Sequence, residues 1–148
     1  MIENAAREPE IVDIANMLKK MGANIKGAGT SEIIIEGVDK LAPADHEIIG
    51  DRIVAGTFLV AILSSEGSGK INGINPDHLP MEIKKLNEMG AKIETNETSI
   101  SIEYQGNLQS IELSTLPFPG IATDLQPIFG SALLLSLIHI SEPTRPLS

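Results

Sequence analysis

One passage of this chain is written twice. Leu18-Lys19-Lys20-Met21-Gly22-Ala23-Asn24-Ile25 returns as Leu86-Asn87-Glu88-Met89-Gly90-Ala91-Lys92-Ile93, each position moved by 68. The match continues downstream of both copies. Ser31-Glu32-Ile33-Ile34-Ile35-Glu36 returns as Thr98-Ser99-Ile100-Ser101-Ile102-Glu103, but Ile33 to Ile100 is a move of 67, so the turn in between has lost one residue. A repeat of this length is a whole supersecondary unit, not a short solenoid turn. It predicts a fold assembled from copies.

The first copy reads as helix, strand, turn, strand. Ile11, Ile14, Ala15, Leu18 and Met21 recur with the period of an amphipathic helix. Pro9 suits its first turn, Glu8 and Glu10 lie near the positive end of its dipole, and Lys19 and Lys20 lie near the negative end. Gly22 supplies a left-handed stop. Residues 23–26 read as a strand, Gly27-Ala28-Gly29-Thr30 as a turn, and Glu32–Glu36 as a second strand. In the second copy Pro80 opens the helix, Ile83, Leu86 and Met89 share a face, Gly90 closes it, and two strands flank Asn96.

After each hairpin an aspartate leads a further helix. Asp51 precedes Arg52-Ile53-Val54-Ala55 and Asp124 precedes Leu125-Gln126-Pro127-Ile128, each placed to accept from the free N–H groups of a first turn. A strand at residues 70–74 stands between the copies. A complete repeat is βαβαββ-like, so the expected class is α/β, with mixed sheets and helices on one face. Such a unit leaves an apolar sheet face for neighbouring copies to cover. About two copies are expected here, the first without its beginning and the second without its end.

Composition narrows the function classes. Twenty acids against 11 bases give a net charge of −9, the wrong sign for nucleic acid or an anionic membrane surface. No cysteine means no disulfide frame, thiolate nucleophile or cysteine metal site. The start, Met1-Ile2-Glu3-Asn4, lacks the features of a signal peptide, and no run of about 18 apolar residues could span a bilayer. The expectation is a soluble cytoplasmic protein.

Few motifs suggest chemistry by themselves. Gly67-Ser68-Gly69-Lys70 lacks the first glycine and the final Ser/Thr of a phosphate loop and reads as a plain turn. His46, His78 and His139 have no ligand spacing, so no metal site is indicated. Asp124 comes after Phe118-Pro119-Gly120-Ile121-Ala122, a loop stiffened by proline and glycine. Its carboxylate is either a helix cap or a group facing a cleft, and Asp51 carries the same two readings. The last residues, 136–148, have two prolines in Glu142-Pro143-Thr144-Arg145-Pro146 and no helix or strand period. They read as a translated sequencing adapter, or alternatively as a flexible tail.

The residues Ile2-Glu3-Asn4-Ala5-Ala6-Arg7-Glu8-Pro9-Glu10-Ile11-Val12-Asp13-Ile14-Ala15, then Met21-Gly22-Ala23, Gly27-Ala28-Gly29-Thr30, Ile35-Glu36-Gly37-Val38, Asp51-Arg52-Ile53-Val54-Ala55-Gly56-Thr57 and Thr123-Asp124-Leu125-Gln126 resemble, in order, the UDP-N-acetylglucosamine 1-carboxyvinyltransferase branch of the enolpyruvyl transferases. The resemblance implies an inside-out α/β barrel fold, two domains of three repeats each, with the active site between them. Residues 1–49 would close the first domain, residues 50–135 would open the second, and the whole would be an internal fragment needing the remainder of a parent chain. The implied reaction moves the enolpyruvyl group of phosphoenolpyruvate onto the 3′-hydroxyl of UDP-N-acetylglucosamine and releases phosphate, as the first committed step of peptidoglycan synthesis. No metal or organic cofactor is implied. By position in the family motif, Asp124 would bind the sugar hydroxyl and act as its base, Thr123 would be a polar contact, residues 118–121 would wall the nucleotide, and Asp51 and Arg52 would support substrate binding. The cations for two anionic substrates are few here, so the chain alone is expected to be inactive. The alternative is a non-catalytic scaffold or binding module of the same fold.

Overall fold

The computed structural model describes residues 1–135, apart from the side chain of Leu135, and shows two compact units, Met1–Ile49 and a second from Gly50 onward. The adapter-or-tail reading of residues 136–148 lies outside the described residues. In chain order the elements are β1 (Ile2–Glu3), α1 (Pro9–Lys20), β2 (Asn24–Lys26), β3 (Glu32–Glu36), α2 (Arg52–Ser64), β4 (Ser68–Asn72), α3 (Pro80–Glu88), β5 (Lys92–Asn96), β6 (Ser99–Glu103) and α4 (Gln126–Leu135), with 3-10 turns at Pro76–His78 and Thr123–Leu125. This mixture of α and β elements is the expected class.

The repeat is visible bond by bond. Each unit holds a three-stranded sheet, ordered β1-β3-β2 in the first and β4-β6-β5 in the second. In each, two strands of like direction are joined through a helix, and the third strand inserts between them, a split βαβ arrangement in which every ladder is antiparallel. Asn24 pairs with Glu36 in one hairpin and Lys92 with Glu103 in the other, the same register with one residue fewer in the second turn. The matched glycines end their helices identically. Gly22 and Gly90 have φ of +103° and +97°. The Ala23 N–H bonds to the Leu18 carbonyl and Gly22 to Lys19; Ala91 bonds to Leu86 and Gly90 to Asn87. This is the Schellman arrangement, which satisfies helix carbonyls that would otherwise lack donors. The Met21 and Met89 carbonyls then accept from Ala42 and Gln109, so the correspondence continues past the hairpins.

Three local expectations are corrected. The strand between the copies is Ser68–Asn72, so Ser68, Gly69 and Lys70 lie in a ladder against β6 and not in a turn; the strand stops before Gly73, whose positive φ turns the chain. Ile2–Glu3 forms a strand against β3 that the sequence pattern did not place. Ile14 is 50% exposed because it sits at the edge of the α1 stripe, while Ala15 faces the small core of Ile25 and Ile33.

The second unit holds the larger core. Leu59, Leu63, Leu79, Leu86, Met89, Ile100, Leu125 and Phe129 are fully buried there. Each such side chain contributes roughly 1.5–3 kcal/mol by leaving water. Helices α2, α3 and α4 pack this core against one face of the sheet.

Candidate active site at the turn before α4

The segment that carries Thr123 and Asp124 is fixed at both ends by buried groups. Upstream, the Gly120 N–H closes a turn onto the Pro117 carbonyl (2.8 Å), with a cis peptide bond between Phe118 and Pro119. The Leu116 N–H bonds to the Ile121 carbonyl across this turn (3.2 Å). Ile121 and Leu125 are fully buried, whereas Thr123 and Asp124 between them are exposed. Leu125 sits over Gly56 of α2, where a Cβ would come within 2.9 Å of the Leu125 Cδ1. A side chain at position 56 would push the Leu125 side chain from its seat; glycine permits the close approach.

The cap expectation holds for Asp51 and fails for Asp124. Asp51 is the N-cap of α2, and its Oδ1 accepts from the Ile53 N–H at 2.8 Å and the Val54 N–H at 3.1 Å. Asp124 instead lies within the 3-10 turn Thr123–Leu125, whose N-cap is Ala122 with no side-chain cap bond. The extra turn ahead of Gln126 and Pro127 moves Asp124 off the cap position. Its carboxylate faces solvent and is not spent on its own helix.

Arg52 is not presented to solvent. It is 6% exposed, and its guanidinium lies 5.7 Å from the centre of the Phe118 ring, a cation–π distance. It also acts electrostatically on Glu82, a carboxylate in the first turn of α3 that the motif reading missed. Glu82 is 1% exposed. Burial pushes its carboxyl above the usual range; its own backbone N–H, the Arg52 guanidinium and the Ala122 backbone N–H pull the other way without cancelling the rise. The signal was in the periodicity. Leu79, Glu82, Ile83 and Leu86 fall on one helical stripe, so an acid occupies a core position.

The remaining polar features sit elsewhere. His46 Nε2 lies 2.9 Å from Asp13 Oδ1 and ties the segment after β3 to α1. A depression of about 390 Å³ on the second sheet is lined by Ser68, Lys70, Lys92, Glu94 and Ser101, and Lys92 pairs with Glu94 there at 3.0 Å. Among the described residues no His, Cys, Asp and Glu cluster could hold a metal ion, and no helix is long and apolar enough to cross a membrane.

Comparison with known proteins agrees with the motif reading. The family model described as EPSP synthase (3-phosphoshikimate 1-carboxyvinyltransferase) matches residues 1–142. The UDP-N-acetylglucosamine 1-carboxyvinyltransferases of Corynebacterium jeikeium and Thermotoga maritima are each 50% identical over 127 residues, 86% of this chain and 30% of theirs. That of Kosmotoga olearia is 49% identical over 133 residues, 90% of this chain and 32% of its own. The chain therefore spans about a third of the length of these relatives. The solved enolpyruvyl transferase NikO from Streptomyces tendae superposes with a TM-score of 0.72 at 23% identity, over 88% of this chain and 32% of NikO, a likeness of fold. The doubled split βαβ unit, the pinned Thr123–Asp124 turn and a family match across most of the chain agree, and the chain belongs to the EPSP synthase (3-phosphoshikimate 1-carboxyvinyltransferase) family.

Proposed function

We propose that this chain supplies part of a site that transfers the enolpyruvyl group of phosphoenolpyruvate to the 3′-hydroxyl of UDP-N-acetylglucosamine, releasing phosphate, in the first committed step of cytoplasmic peptidoglycan synthesis. One observation carries the reading: an exposed carboxylate, Asp124, stands on a turn held by buried neighbours and is not consumed by a helix cap. Asp124 accepts the hydroxyl proton as the new carbon–oxygen bond forms, and exclusion of water on substrate binding strengthens it as a base. Thr123 contributes a polar contact, and residues 118–121 form a wall near the nucleotide. Asp51 orders the start of α2, and Arg52 supports the wall from behind through Phe118.

In this reading residues 1–49 and 50–135 belong to successive domains of an inside-out α/β barrel enzyme, and the remainder of the parent chain supplies the cations for two anionic substrates. An acidic chain with 11 bases is poorly suited to hold both alone. Purified chain with both substrates should release phosphate at the background rate. The stronger test grafts the matched segment into the Thermotoga maritima relative. There Asp124→Asn should lower kcat by roughly a hundredfold or more, the usual contribution of a general base. An active graft indifferent to Asp124→Asn would refute the assignment and favour a scaffold role.

A further inference from the structure

The segment after β3 has no helix or strand of its own, yet it is held to α1 at two points. The Ala42 N–H donates to the Met21 carbonyl at 2.8 Å, and Asp13 Oδ1 accepts from His46 Nε2 at 2.9 Å. Asp13, Met17 and Met21 follow one another at helical spacing on one face of α1. From Met21 back to Asp13 the helix rises about 12 Å, and from Ala42 to His46 an extended chain spans about 13 Å. The lengths match, so residues 42–46 run antiparallel along that face as a strap pinned at each end.

The second copy has the same strap with a different fastening. Gln109 takes the place of Ala42, and its N–H donates to the Met89 carbonyl at 2.9 Å. With a move of 68 in the helix and 67 beyond the hairpin, Asp13 corresponds to Met81 and His46 to Leu113. Both are apolar and half-buried against the second core. Opening that strap would put apolar surface into water. Opening the first returns two polar groups to water, and His46 gains by it: its side chain is 8% exposed and its Nδ1 has no hydrogen-bond partner.

The connector beyond the first strap is short. Gly50 opens the second unit and lies against Gly73, where a Cβ would collide with the Gly73 carbonyl oxygen. With His46 fastened, the connector between these anchors is residues 47–49, and Ile48 within it is 76% exposed. With His46 released, the connector lengthens to residues 43–49.

We propose that residues 42–46 are a releasable strap whose clasp is the His46–Asp13 bond. It opens without unfolding the β2–β3 hairpin and lengthens the connector that leads into the second unit, whereas the apolar fastening of the second copy stays closed. The strap is independent of the transfer reading, since neither Asp13 nor His46 belongs to the proposed site.

Native-state hydrogen exchange on the 148-residue chain tests this, first without any variant. The Ala42 amide should exchange through a local opening nearly insensitive to urea, while the β2–β3 ladder amides follow the steep urea dependence of unfolding. Gln109 should follow the ladder of its own hairpin. An Ala42 amide that shares the urea dependence of the β2–β3 ladder overturns the proposal.

Variants then identify the clasp. His46→Ala and Asp13→Ala should each speed Ala42 exchange by roughly tenfold or more, as for a lost charge-assisted bond, and the double variant should be no faster than the faster single one. Additive effects, or none, overturn the clasp. Equal acceleration of the ladder amides means the whole unit has loosened, and overturns the strap. Asp13→Met combined with His46→Leu installs the fastening of the second copy and should return Ala42 to the wild-type rate or slower; exchange as fast as in the alanine variants overturns the equivalence of the two straps. Nitrogen relaxation reads the connector directly. Backbone order should fall over Glu47, Ile48 and Ile49 in wild type and from Ala44 onward in His46→Ala, and an unchanged profile overturns the lengthening.

Discussion

Alanine at Gly90 should cost the second unit about 1 kcal/mol more than alanine at Gly22 costs the first. The two glycines are the same position of the repeat, with φ of +97° and +103°. An L-residue held in left-handed backbone costs roughly 1–2 kcal/mol. Replacing glycine also restricts the unfolded chain, which returns about 0.4–1 kcal/mol. Both terms are common to the pair and cancel in the comparison. The surroundings do not cancel. A Cβ at Gly22 meets nothing within 4 Å, whereas one at Gly90 lies 2.7 Å from the Asn107 carbonyl oxygen. That carbonyl is backbone and must retreat. Two residues on, the Gln109 N–H is bonded to the Met89 carbonyl at 2.9 Å, so the retreat pulls on this bond. Losing it costs about 0.5–1.5 kcal/mol net. Native-state hydrogen exchange in urea, read at the β2–β3 hairpin for Gly22→Ala and the β5–β6 hairpin for Gly90→Ala, gives each unit its own free energy. Tyr104, the sole tyrosine in a chain without tryptophan, packs against the second core and reports that unit independently by fluorescence. Equal losses at the two sites, or a larger loss at Gly22, would refute the argument from the Asn107 contact.

Two further outcomes are expected. Asp51→Ala removes the acceptor for two N–H groups of α2 and should lower the stability of the second unit by about 1 kcal/mol in urea unfolding, while Asp51→Asn, an equally good cap, should stay near wild type. The raised Glu82 carboxyl means the folded state keeps a proton that the unfolded chain gives up, so its contribution to stability is full below the ordinary glutamate value and is lost as pH rises through the folded value. Plotted against pH, the urea midpoint of wild type minus that of Glu82→Gln should fall across that window; a flat difference would contradict the burial of a charged carboxylate.

Much of the scaffold was legible because the repeat carries its own punctuation. Proline at the helix start, glycine at the stop and alternating isoleucines locate α1, α3 and both hairpins to within a residue or two. What escaped were features set by tertiary partners. Ile2–Glu3 is a strand only because β3 offers it an edge. Ile35 and Ile102 are the same position of the repeat, yet one is 51% exposed and the other 2%. Helices α2 and α4 stand over the second sheet, and the first unit has α1 alone. Burial thus depends on what is packed against a copy, which the copy does not encode. The candidate site divides the same way. Asp124 was found by motif, but Glu82 was not, since an acid in an amphipathic helix is read as a surface residue until its stripe is counted.

Asp51 and Asp124 provide an internal comparison that bears on chemistry. Both come after a hairpin of the repeat and both lead into a helix of the same core. Asp51 has its Oδ1 shared between two N–H groups of its own helix, so that carboxylate is a structural fixture. Asp124 is released from that duty by one added 3-10 turn, and Ala122 takes the capping position with no side chain to contribute. The helix loses a cap, which costs about 1 kcal/mol. Purely structural selection would favour the arrangement seen at Asp51. The one at Asp124 gives up helix stability and leaves a carboxylate exposed on a turn fixed from both ends, which is the geometry a base needs to meet a substrate hydroxyl.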